Sequence, residues 1–548
     1  MEQREYIVTL HKFDDLDSFY NDMETPGGNL YIPNREVTVL HRRPISRNTH
    51  YMLTANEANL IKQDPRVLDV ELSPEERGVV NVPLWVDTST WWDKSATATS
   101  VHKNWGLLRV ADGYARYNWG SNGTTNTPGT VTTTSAGNNV DVVIVDGHMN
   151  PDHPEFAVNS DGTGGSRVVQ YNWFQHTPAV TGGAAGTYTY TPYVDPSYTD
   201  PYGGSRTDDN DHGCHVAGIA AGNSQGWARK ANIYNISPYN TNPSKTSFFL
   251  DYVRAWHNTK PINPLTGRRN PTVTNHSYGQ ASKVLISDIT SLVYKGISHT
   301  GPFTSSDLQS YGVYNSGGYA YMPLRSTATD IDFQELLAAG VIAAGAAGNS
   351  FTKIATYDTA IGADYNNRVY VGSSVFYYMR GTHSAGIGMI CVGSVGASIG
   401  ESKAIYSECG PRIDVYAPGT YIISSINAAV GSYVADLRNS SYHQIKASGT
   451  SMASPQVTGV LACLAESWPT MKQSQAVDYL HKTATANQMF DTHGGPADFS
   501  SLQGSENRFL YYVKERPNTG QAYPKQNLGA RPTTGMVYPR PKIYRYGR

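Results

Sequence analysis

The sequence predicts an α/β fold, a mostly parallel and doubly wound sheet with helices on both faces, preceded by a small α+β unit. Two observations support the main fold. Apolar strands alternate with helices along the chain, an order typical of parallel sheets. The strand at 140–145 is almost continuously apolar, as expected for a strand that is covered on both faces. With 548 residues, the chain is long enough for one large domain with smaller appendages.

Residues 1–75 predict the small unit, which has a ferredoxin-like order of elements, β-α-β-β-α-β. Its strands are predicted at 6–10, 37–40, 51–53 and 67–72. One helix follows Leu16, and a second begins at the capping box Thr54-Ala-Asn-Glu57. Many unrelated proteins use this fold, so the order of elements alone does not identify a function.

The rest of the chain divides into three segments. Residues 76–103 have no sustained periodicity and are interpreted as a linker that is open to proteolytic processing. Residues 104–516 form the predicted main domain, with irregular insertions near 160–205 and 281–327. The tail, 517–548, is rich in Pro and Tyr and carries six basic residues and no acidic one. Two interpretations of the tail stay open, a solvated end or an arm that docks on an assembly partner.

Composition excludes several classes of function. The net charge of −2 argues against nucleic acid or an anionic membrane surface as a partner. Four scattered cysteines are too few for a disulfide framework, and no apolar run reaches the length of a transmembrane segment. The N-terminus enters a strand pattern directly and lacks the apolar region of a signal peptide. We therefore expect synthesis in a cytoplasm without a Sec export route.

The motif G-T-S-M-A-S-P-Q-V-T-G at 449–459 carries the first candidate for chemistry. Ser451 is predicted at the start of a buried helix, with Pro455 in the first turn, where a missing N–H costs little. A hydroxyl in this position, next to the small Gly449, suits a nucleophile. Taken alone, Ser451 could equally serve as an ordinary N-cap.

Three further side chains complete a possible reaction centre. His212, at a predicted helix start, can remove the proton of a serine, and Asp146, at the end of the strand 140–145, can orient the imidazole. Asn349 and the backbone N–H of Ser451 can donate hydrogen bonds to a developing oxyanion. Each residue has a structural alternative, a loop cap for Asp146 and a left-handed turn for Asn349.

A metal site is the remaining alternative for the helix start. His212 is followed by Cys214 and His215, which are metal-binding residue types. No further Cys/His pair stands nearby at ligand spacing, so we assign no metal.

In this order along the chain, these motifs resemble the subtilisin-like serine protease (subtilase) family over most of residues 104–490. The motifs are V-V-I-V-D ending at Asp146, H-P-E-F at 153–156, D-H-G-C-H-V-A-G at 211–218, N-H-S-Y-G at 275–279, A-A-G-N at 346–349, Y-S-E-C-G-P-R-I-D-V-Y-A-P-G at 406–419 and G-T-S-M-A-S-P at 449–455. The order Asp, His, Ser is the order found in subtilisin.

The resemblance implies a serine endopeptidase that acts on protein or peptide substrates through an acyl-enzyme. Its implied catalytic triad is Asp146, His212 and Ser451, with Asn349 in the oxyanion hole. It further implies that Ser277, Tyr278 and Gly279 pair with the substrate backbone, and that Ala347 and Gly348 border the primary specificity pocket.

The same resemblance gives the N-terminal unit a role. It implies a propeptide that acts as an intramolecular inhibitor, so that the chain is made as a self-inhibited zymogen and processed within 73–103. It implies no required cofactor. Calcium is common among relatives, but no Asp-rich ligand run stands out, and calcium stays unassigned. Three residues depart from the family pattern: Gly147, His148 and Cys214.

Two functions of other classes stay open at this stage. The missing export signal and the basic tail are compatible with a component of a virus particle or another assembly that carries a dormant or inactive protease domain. A pseudoprotease used as a binding scaffold would require a dead site, whereas all four reacting residues are present.

Overall fold

The structure is a computed structural model that describes most of the chain. The described residues are 2–32, 35–42, 48–72, 85–88, 105–113, 130–147, 149–171, 173, 211–236, 248–279, 281–323, 327–372, 374–396, 401–426, 434–489 and 502–512. The chain divides into two compact units, Met1–Pro83 and Leu84–Arg548, here called the N-terminal unit and the main unit.

The N-terminal unit has the order of elements that the sequence predicts. Its elements are β1 (Arg4–Leu10), α1 (Leu16–Glu24), β2 (Thr38–Arg42), β3 (Asn48–Leu53), α2 (Ala55–Ile61) and β4 (Val67–Leu72). The strands form an antiparallel sheet in the order β2-β3-β1-β4, with Phe19 and Tyr51 in its core. The capping box begins α2, since Thr54 accepts a hydrogen bond from the amide of Glu57 and donates its own amide to the Glu57 carboxylate.

The main unit contains one large sheet, three smaller sheets and a two-stranded ribbon among its described residues. Its strands are β5 (Trp85–Thr88), β6 (Thr130–Thr133), β7 (Asp141–Val145), β8 (Asn232–Ile236), β9 (Thr272–His276), β10 (Ala281–Leu285), β11 (Ile289–Tyr294), β12 (Ile297–Thr300), β13 (Asn315–Ser316), β14 (Tyr319–Pro323), β15 (Ile342–Ala346), β16 (Arg368–Val371), β17 (Ser374–Tyr377), β18 (Ile390–Val395), β19 (Val415–Pro418), β20 (Ile422–Ile426), β21 (Val434–Ala435), β22 (His443–Ala447), β23 (Thr485–Ala486) and β24 (Arg508–Phe509). Its helices are α3 (Trp105–Asp112), α4 (Asp211–Ala221), α5 (Phe248–Thr259), α6 (Ser305–Ser310), α7 (Thr327–Ala338), α8 (Thr450–Ser467) and α9 (Gln473–Thr483).

The large sheet confirms the predicted fold class. Its strand order is β23-β24-β19-β18-β15-β9-β7-β8, and every neighbouring pair is parallel except β23 with β24. Alternate residues of β7 enter different cores: Val142 and Ile144 pack with α4 and α8, whereas Val143 and Val145 pack with α5 and α7. Helices therefore cover both faces, which explains the nearly continuous apolar sequence of this strand.

The second predicted insertion, 281–327, is not irregular, and this part of the prediction is wrong. Its strands form the sheet β10-β14-β13 and half of the sheet β12-β11-β16-β17, and α6 lies between them. These elements share a core of their own that includes Leu292, Met322 and Val369. The strands are short, and strands such as β12 are largely exposed, so their residues do not alternate between apolar and polar.

The predicted linker, 76–103, contains one described strand. β5 pairs antiparallel with β6, so at least these four residues are integrated into the main unit. The rest of that linker, most of the insertion 160–205, His148 and the tail 517–548 lie outside the described residues. Where the structure describes the chain, none of its helices is both long and apolar enough to cross a membrane.

Candidate active site

Asp146 follows the last residue of β7, at the carboxyl end of the parallel sheet. Its side chain is fully buried, and its Oδ1 accepts a hydrogen bond of 2.7 Å from the amide of Gly147 and lies 2.8 Å from Nδ1 of His212. Asn235 on β8 donates to the carbonyl of Gly147 and fixes the same loop. Oδ2 of Asp146 is buried without a hydrogen-bond partner among the described residues. The carboxylate is thus held in one orientation toward the imidazole.

His212 lies in the first turn of α4, and its side chain is 34% exposed. The helix start comes very close to the aspartate loop, because a Cβ on Gly213 would lie 1.9 Å from the carbonyl oxygen of Gly147. Only glycine fits there, and its absence of a side chain allows the short Asp146–His212 distance. Burial lowers the pKa of His212, but the charge and hydrogen bond of Asp146 outweigh it, so the pKa is raised overall.

Ser451 lies in the first turn of α8, which packs directly against α4. Its hydroxyl donates to the carbonyl of Ser277 at 3.1 Å, and the hydroxyl of Ser277 donates to the carbonyl of Ser451 at 3.0 Å. Among the described residues, the Ser451 hydroxyl therefore bonds to the end of β9 and not to His212. The structure brings the serine to the same edge of the sheet as the Asp–His pair without the serine–histidine hydrogen bond.

A buried polar chain stabilises this attachment. Asn275 on β9 donates to the hydroxyl of Ser277 at 2.9 Å. The side-chain oxygen Oδ1 of Asn275 accepts hydrogen bonds from the hydroxyls of Ser454 and Thr458 on α8, at 2.9 and 3.0 Å. The amide is fully buried and satisfied, so it fixes the start of α8 relative to the strand end.

Asn349 is exposed in the loop after β15. Its Oδ1 accepts two hydrogen bonds of 2.9 Å, from the amide and from the hydroxyl of Thr450. This arrangement turns the Nδ2 group toward the nucleophile turn, where a Cβ on Gly449 would lie 3.4 Å from Nδ2. The amide N–H groups of the side chain are therefore available close to Ser451.

The predicted substrate-binding residues 277–279 continue directly from β9. Ser277 is buried, Tyr278 is half-buried and Gly279 is exposed. The hydroxyl of Tyr278 lies 3.0 Å from Nδ1 of His276, whose pKa is lowered to about 3 by burial. His276 is thus a neutral partner that fixes the tyrosine and the backbone after it.

The other predicted pair, Ala347 and Gly348, follows β15. Ala347 is buried, and its amide donates to the carbonyl of Val392 at 3.0 Å. Gly348 has a φ of 120°, a conformation that side chains rarely adopt, and its amide donates to the hydroxyl of Thr450 at 3.1 Å. Thr450 thus contacts both Gly348 and Asn349.

Among the described residues there is no group of three or more His, Cys, Asp or Glu side chains that could hold a metal ion. Nε2 of His215 lies 3.0 Å from the carbonyl oxygen of Ile445. Burial lowers the pKa of His215 to about 4, and the thiol of Cys214 is buried and unbridged. Both side chains are buried in the packing of α4.

Sequence reasoning missed three residues that hold this site together: Thr450, Asn275 and Glu408. Thr450 and Asn275 stand beside predicted residues within quoted motifs, so their positions could have suggested a role. Glu408 also belongs to a quoted motif, but its contact with Gly348 depends on the tertiary fold.

The arrangement combines an oriented imidazole, an adjacent hydroxyl at a helix start and amide donors near that hydroxyl. Such a group can deprotonate a serine, attack an acyl carbon and stabilise the resulting oxyanion. The geometry suits acyl transfer.

Comparison with known proteins agrees with this chemistry. Residues 137–505 match the model of the subtilase family, Peptidase_S8. The alkaline proteinase of Hapsidospora chrysogena is 26% identical over 368 residues, which cover 65% of this chain and 68% of that protein. Subtilisin E of Bacillus subtilis (strain 168) is 29% identical over 164 residues, covering 30% of this chain and 33% of that protein.

Among solved structures, that of a cold adapted subtilisin-like serine proteinase aligns with a TM-score of 0.44 and 20% identity, over 75% of this chain and 98% of that one. The family match extends over well more than half of the sequence and includes Asp146, His212, Asn349 and Ser451. The chain therefore belongs to the subtilase family of serine-type peptidases.

Proposed function

We propose that the chain hydrolyses internal peptide bonds of proteins through an acyl-enzyme formed on Ser451. His212 is the general base and acid, and Asp146 orients it. The observation that carries this proposal is the 2.8 Å contact between Asp146 and Nδ1 of a half-exposed His212. It lies in the segment that matches the subtilases, and the helix that carries His212 packs against α8, which has Ser451 in its first turn.

Proton transfer in the proposed reaction follows from the imidazole contacts. Nδ1 donates its hydrogen to Oδ1 of Asp146, so Nε2 is the basic atom of the neutral ring. In the proposed reaction the Ser451 hydroxyl, which donates to the Ser277 carbonyl in the structure, donates to Nε2 instead. The raised pKa of His212 favours proton uptake as the serine attacks, and the imidazolium then protonates the leaving amine.

The oxyanion is proposed to lie between Nδ2 of Asn349 and the backbone N–H of Ser451. Thr450 supports this role because it occupies the acceptor oxygen of Asn349 and leaves the donor side of the amide for the substrate. The backbone of 277–279 is proposed to pair with the substrate as an added strand, and Ala347 and Gly348 are proposed to border the primary specificity pocket.

The N-terminal unit is proposed to be an inhibitory propeptide that is removed by self-cleavage. Its support is the antiparallel β2-β3-β1-β4 sheet with its own core, a compact unit separate from the catalytic segment. The test compares intact masses of the wild type and Ser451→Ala after expression. Loss of residues up to a site within 73–103 in the wild type alone is expected. Identical masses for both chains would refute self-cleavage.

Labelling with a fluorophosphonate tests the hydrolase mechanism. The reagent should modify the wild type at Ser451, as located by peptide mass mapping, and should not modify Ser451→Ala. Ser310→Ala, which removes an exposed serine of α6, is the matched control and should label fully. A wild type that stays unlabelled after removal of the N-terminal unit would refute the proposed function.

A further inference from the structure

Glu408 supports the loop that presents Asn349. Its side chain packs on Gly348, since a Cβ there would lie 2.8 Å from Cγ and 3.0 Å from Oε1 of the glutamate. Its carboxylate accepts a 2.5 Å hydrogen bond from the hydroxyl of Thr352. Its own amide donates to the carbonyl of Gly348 at 3.0 Å. One side chain thus contacts the loop both before and after Asn349.

The opposite side of the loop is attached to the nucleophile helix. Thr450 accepts a hydrogen bond from the amide of Gly348 and donates its hydroxyl and amide to Asn349. Asn349 therefore lies between two attachments, Thr450 at the start of α8 and Glu408 in the segment before β19. A movement of Glu408 can therefore displace the side-chain amide of Asn349.

In the part of the chain that the structure describes, no cation is bonded to the carboxylate of Glu408. Lys403 is the cation that faces it, and its ammonium group donates to the backbone carbonyls of Ala404 and Ser407. On the loop, Lys353 is paired with Asp364 at 2.6 Å. Burial raises the pKa of Glu408 to about 7, although the hydrogen bonds from Thr352 and Ser350 and the charge of Lys403 lower it in part.

We propose that Glu408 is a positioning residue that holds the Asn349 loop in its donor geometry while its carboxyl is neutral and loosens the loop when it ionises. The physical reason is linkage. A carboxyl group that binds a proton more tightly when it is buried against the loop than when it is in water favours the packed loop when it is protonated. When the same group is ionised, it favours release of the loop. The effect on catalysis rests on the proposed role of Asn349, whereas the effect on the loop does not.

The kinetic test measures kcat per fluorophosphonate-titrated site for the wild type and Glu408→Gln between pH 5.5 and 9. Glutamine keeps the shape and the acceptor oxygen but cannot ionise. The ratio of wild type to variant should be near one at pH 5.5 and should fall about three- to ten-fold by pH 9, a fraction of the effect of losing an oxyanion donor. Taking the ratio removes the titration of His212, which both proteins share.

Two more variants separate positioning from folding. Glu408→Ala should lower kcat at every pH and change KM less, because the loop loses its support. Glu408→Gln should have a kcat close to that of the wild type at low pH. Glu466→Gln is the control, since this carboxylate binds the amides of 136–138 instead. Its ratio to the wild type should not change with pH. A flat ratio for Glu408→Gln would overturn the proposal.

Hydrogen exchange of residues 347–353, measured by mass spectrometry in the inactive Ser451→Ala chain, tests the loop without any activity. After correction for the intrinsic pH dependence, exchange should accelerate between pH 6 and 8.5 with Glu408 and should not with Glu408→Gln. Equal exchange in both would overturn the proposal. If the loop exchanges in this pH-dependent way but the wild type, freed of its N-terminal unit, is not labelled by fluorophosphonate, the proposed function is refuted and the role of Glu408 in the loop remains.

Discussion

Asp146 and Glu155 are two buried carboxylates on the same connection after β7, and their surroundings differ: Asp146 faces a titratable side chain, whereas Glu155 faces a permanent cation. Asp146 has one oxygen bonded to Gly147 and His212, and its other oxygen has no partner among the described residues. The side chain that it faces is His212, whose partly exposed imidazole can gain or lose a proton.

Glu155 is instead saturated with donors. They are the amide and hydroxyl of Ser224, the amide of Gln225, the side-chain amide of Gln444 and the guanidinium of Arg438. Arg438 also bonds both oxygens of the buried Asp436 and has a raised pKa: burial opposes its charge, and the two carboxylates outweigh burial. A carboxylate with a permanent cation and no vacant lone pair joins segments together, whereas one that faces a titratable partner can take part in chemistry.

The largest expected effect comes from breaking the reactive pair. Asp146→Asn should lower kcat by about 10⁴-fold, because asparagine stabilises the wrong imidazole tautomer and cannot stabilise the imidazolium. The fold should persist, since the amide has the same shape. Steady-state hydrolysis of a peptide anilide measures kcat, and the urea midpoint of the same variant measures folding. A loss of less than ten-fold would contradict the role of Asp146.

The ion pairs of Arg438 with Glu155 and Asp436 should respond in the opposite way, because their loss should lower stability rather than kcat. Arg438→Met leaves two buried carboxylates without their cation and should cost about 3–5 kcal/mol of unfolding free energy. Urea unfolding followed by tryptophan fluorescence, in the Ser451→Ala background to prevent self-digestion, reports on the main unit because every tryptophan lies within it.

Arg254→Met is the matched control for Arg438. Its pair with Glu335 is 31% and 50% exposed, so the substitution should cost about 0–1 kcal/mol. Equal costs for the two arginine variants would show that the Glu155 cluster is no more important than a surface ion pair. If Arg438→Met lowers the unfolding free energy but leaves kcat per titrated site unchanged, the contacts of Arg438 with Glu155 act on stability and not on catalysis.

The reactive pair was predictable from the sequence because its signals are local. Asp146 ends an apolar strand, His212 and Ser451 begin helices, and parallel strands bring their carboxyl ends to one edge. The sheet and its two covered faces followed from the same periodicities. The resemblance to subtilases added the role of Asn349, which its glycine-rich turn alone did not indicate.

The structural cluster was not predictable in this way. Arg438 and Glu155 are separated by 283 positions, and neither stands in a pattern that indicates its partner. The hydrogen bonds from Thr450 to Oδ1 of Asn349 could not be predicted without the direction of the Thr450 side chain. The burial of Glu408 could not be predicted without the tertiary fold. The strands of 281–323 escaped prediction because their partly exposed faces have no apolar alternation.

Glu408 is intermediate between the two carboxylates: it is buried like Glu155, but no cation among the described residues bonds to it, and its expected effect is smaller than those of the two pairs. Its pKa is raised to about 7 in the folded chain by burial, against an ordinary value of 4.5. The folded chain therefore holds the proton more tightly than the unfolded chain. The resulting stabilisation is complete below about pH 4.5 and is lost as the pH rises through 7.

The comparison with Glu408→Gln measures this loss, because the variant lacks only the titration of this one group. Relative to the variant, the wild type should lose up to about 3 kcal/mol of unfolding free energy between pH 4.5 and 8. Urea unfolding of both chains in the Ser451→Ala background, at half-unit pH steps, measures the difference. A difference that rises with pH would mean that Glu408 is ionised in the folded chain and stabilised by Lys403, as Glu155 is by Arg438. Burial without a bonded cation favours the falling curve.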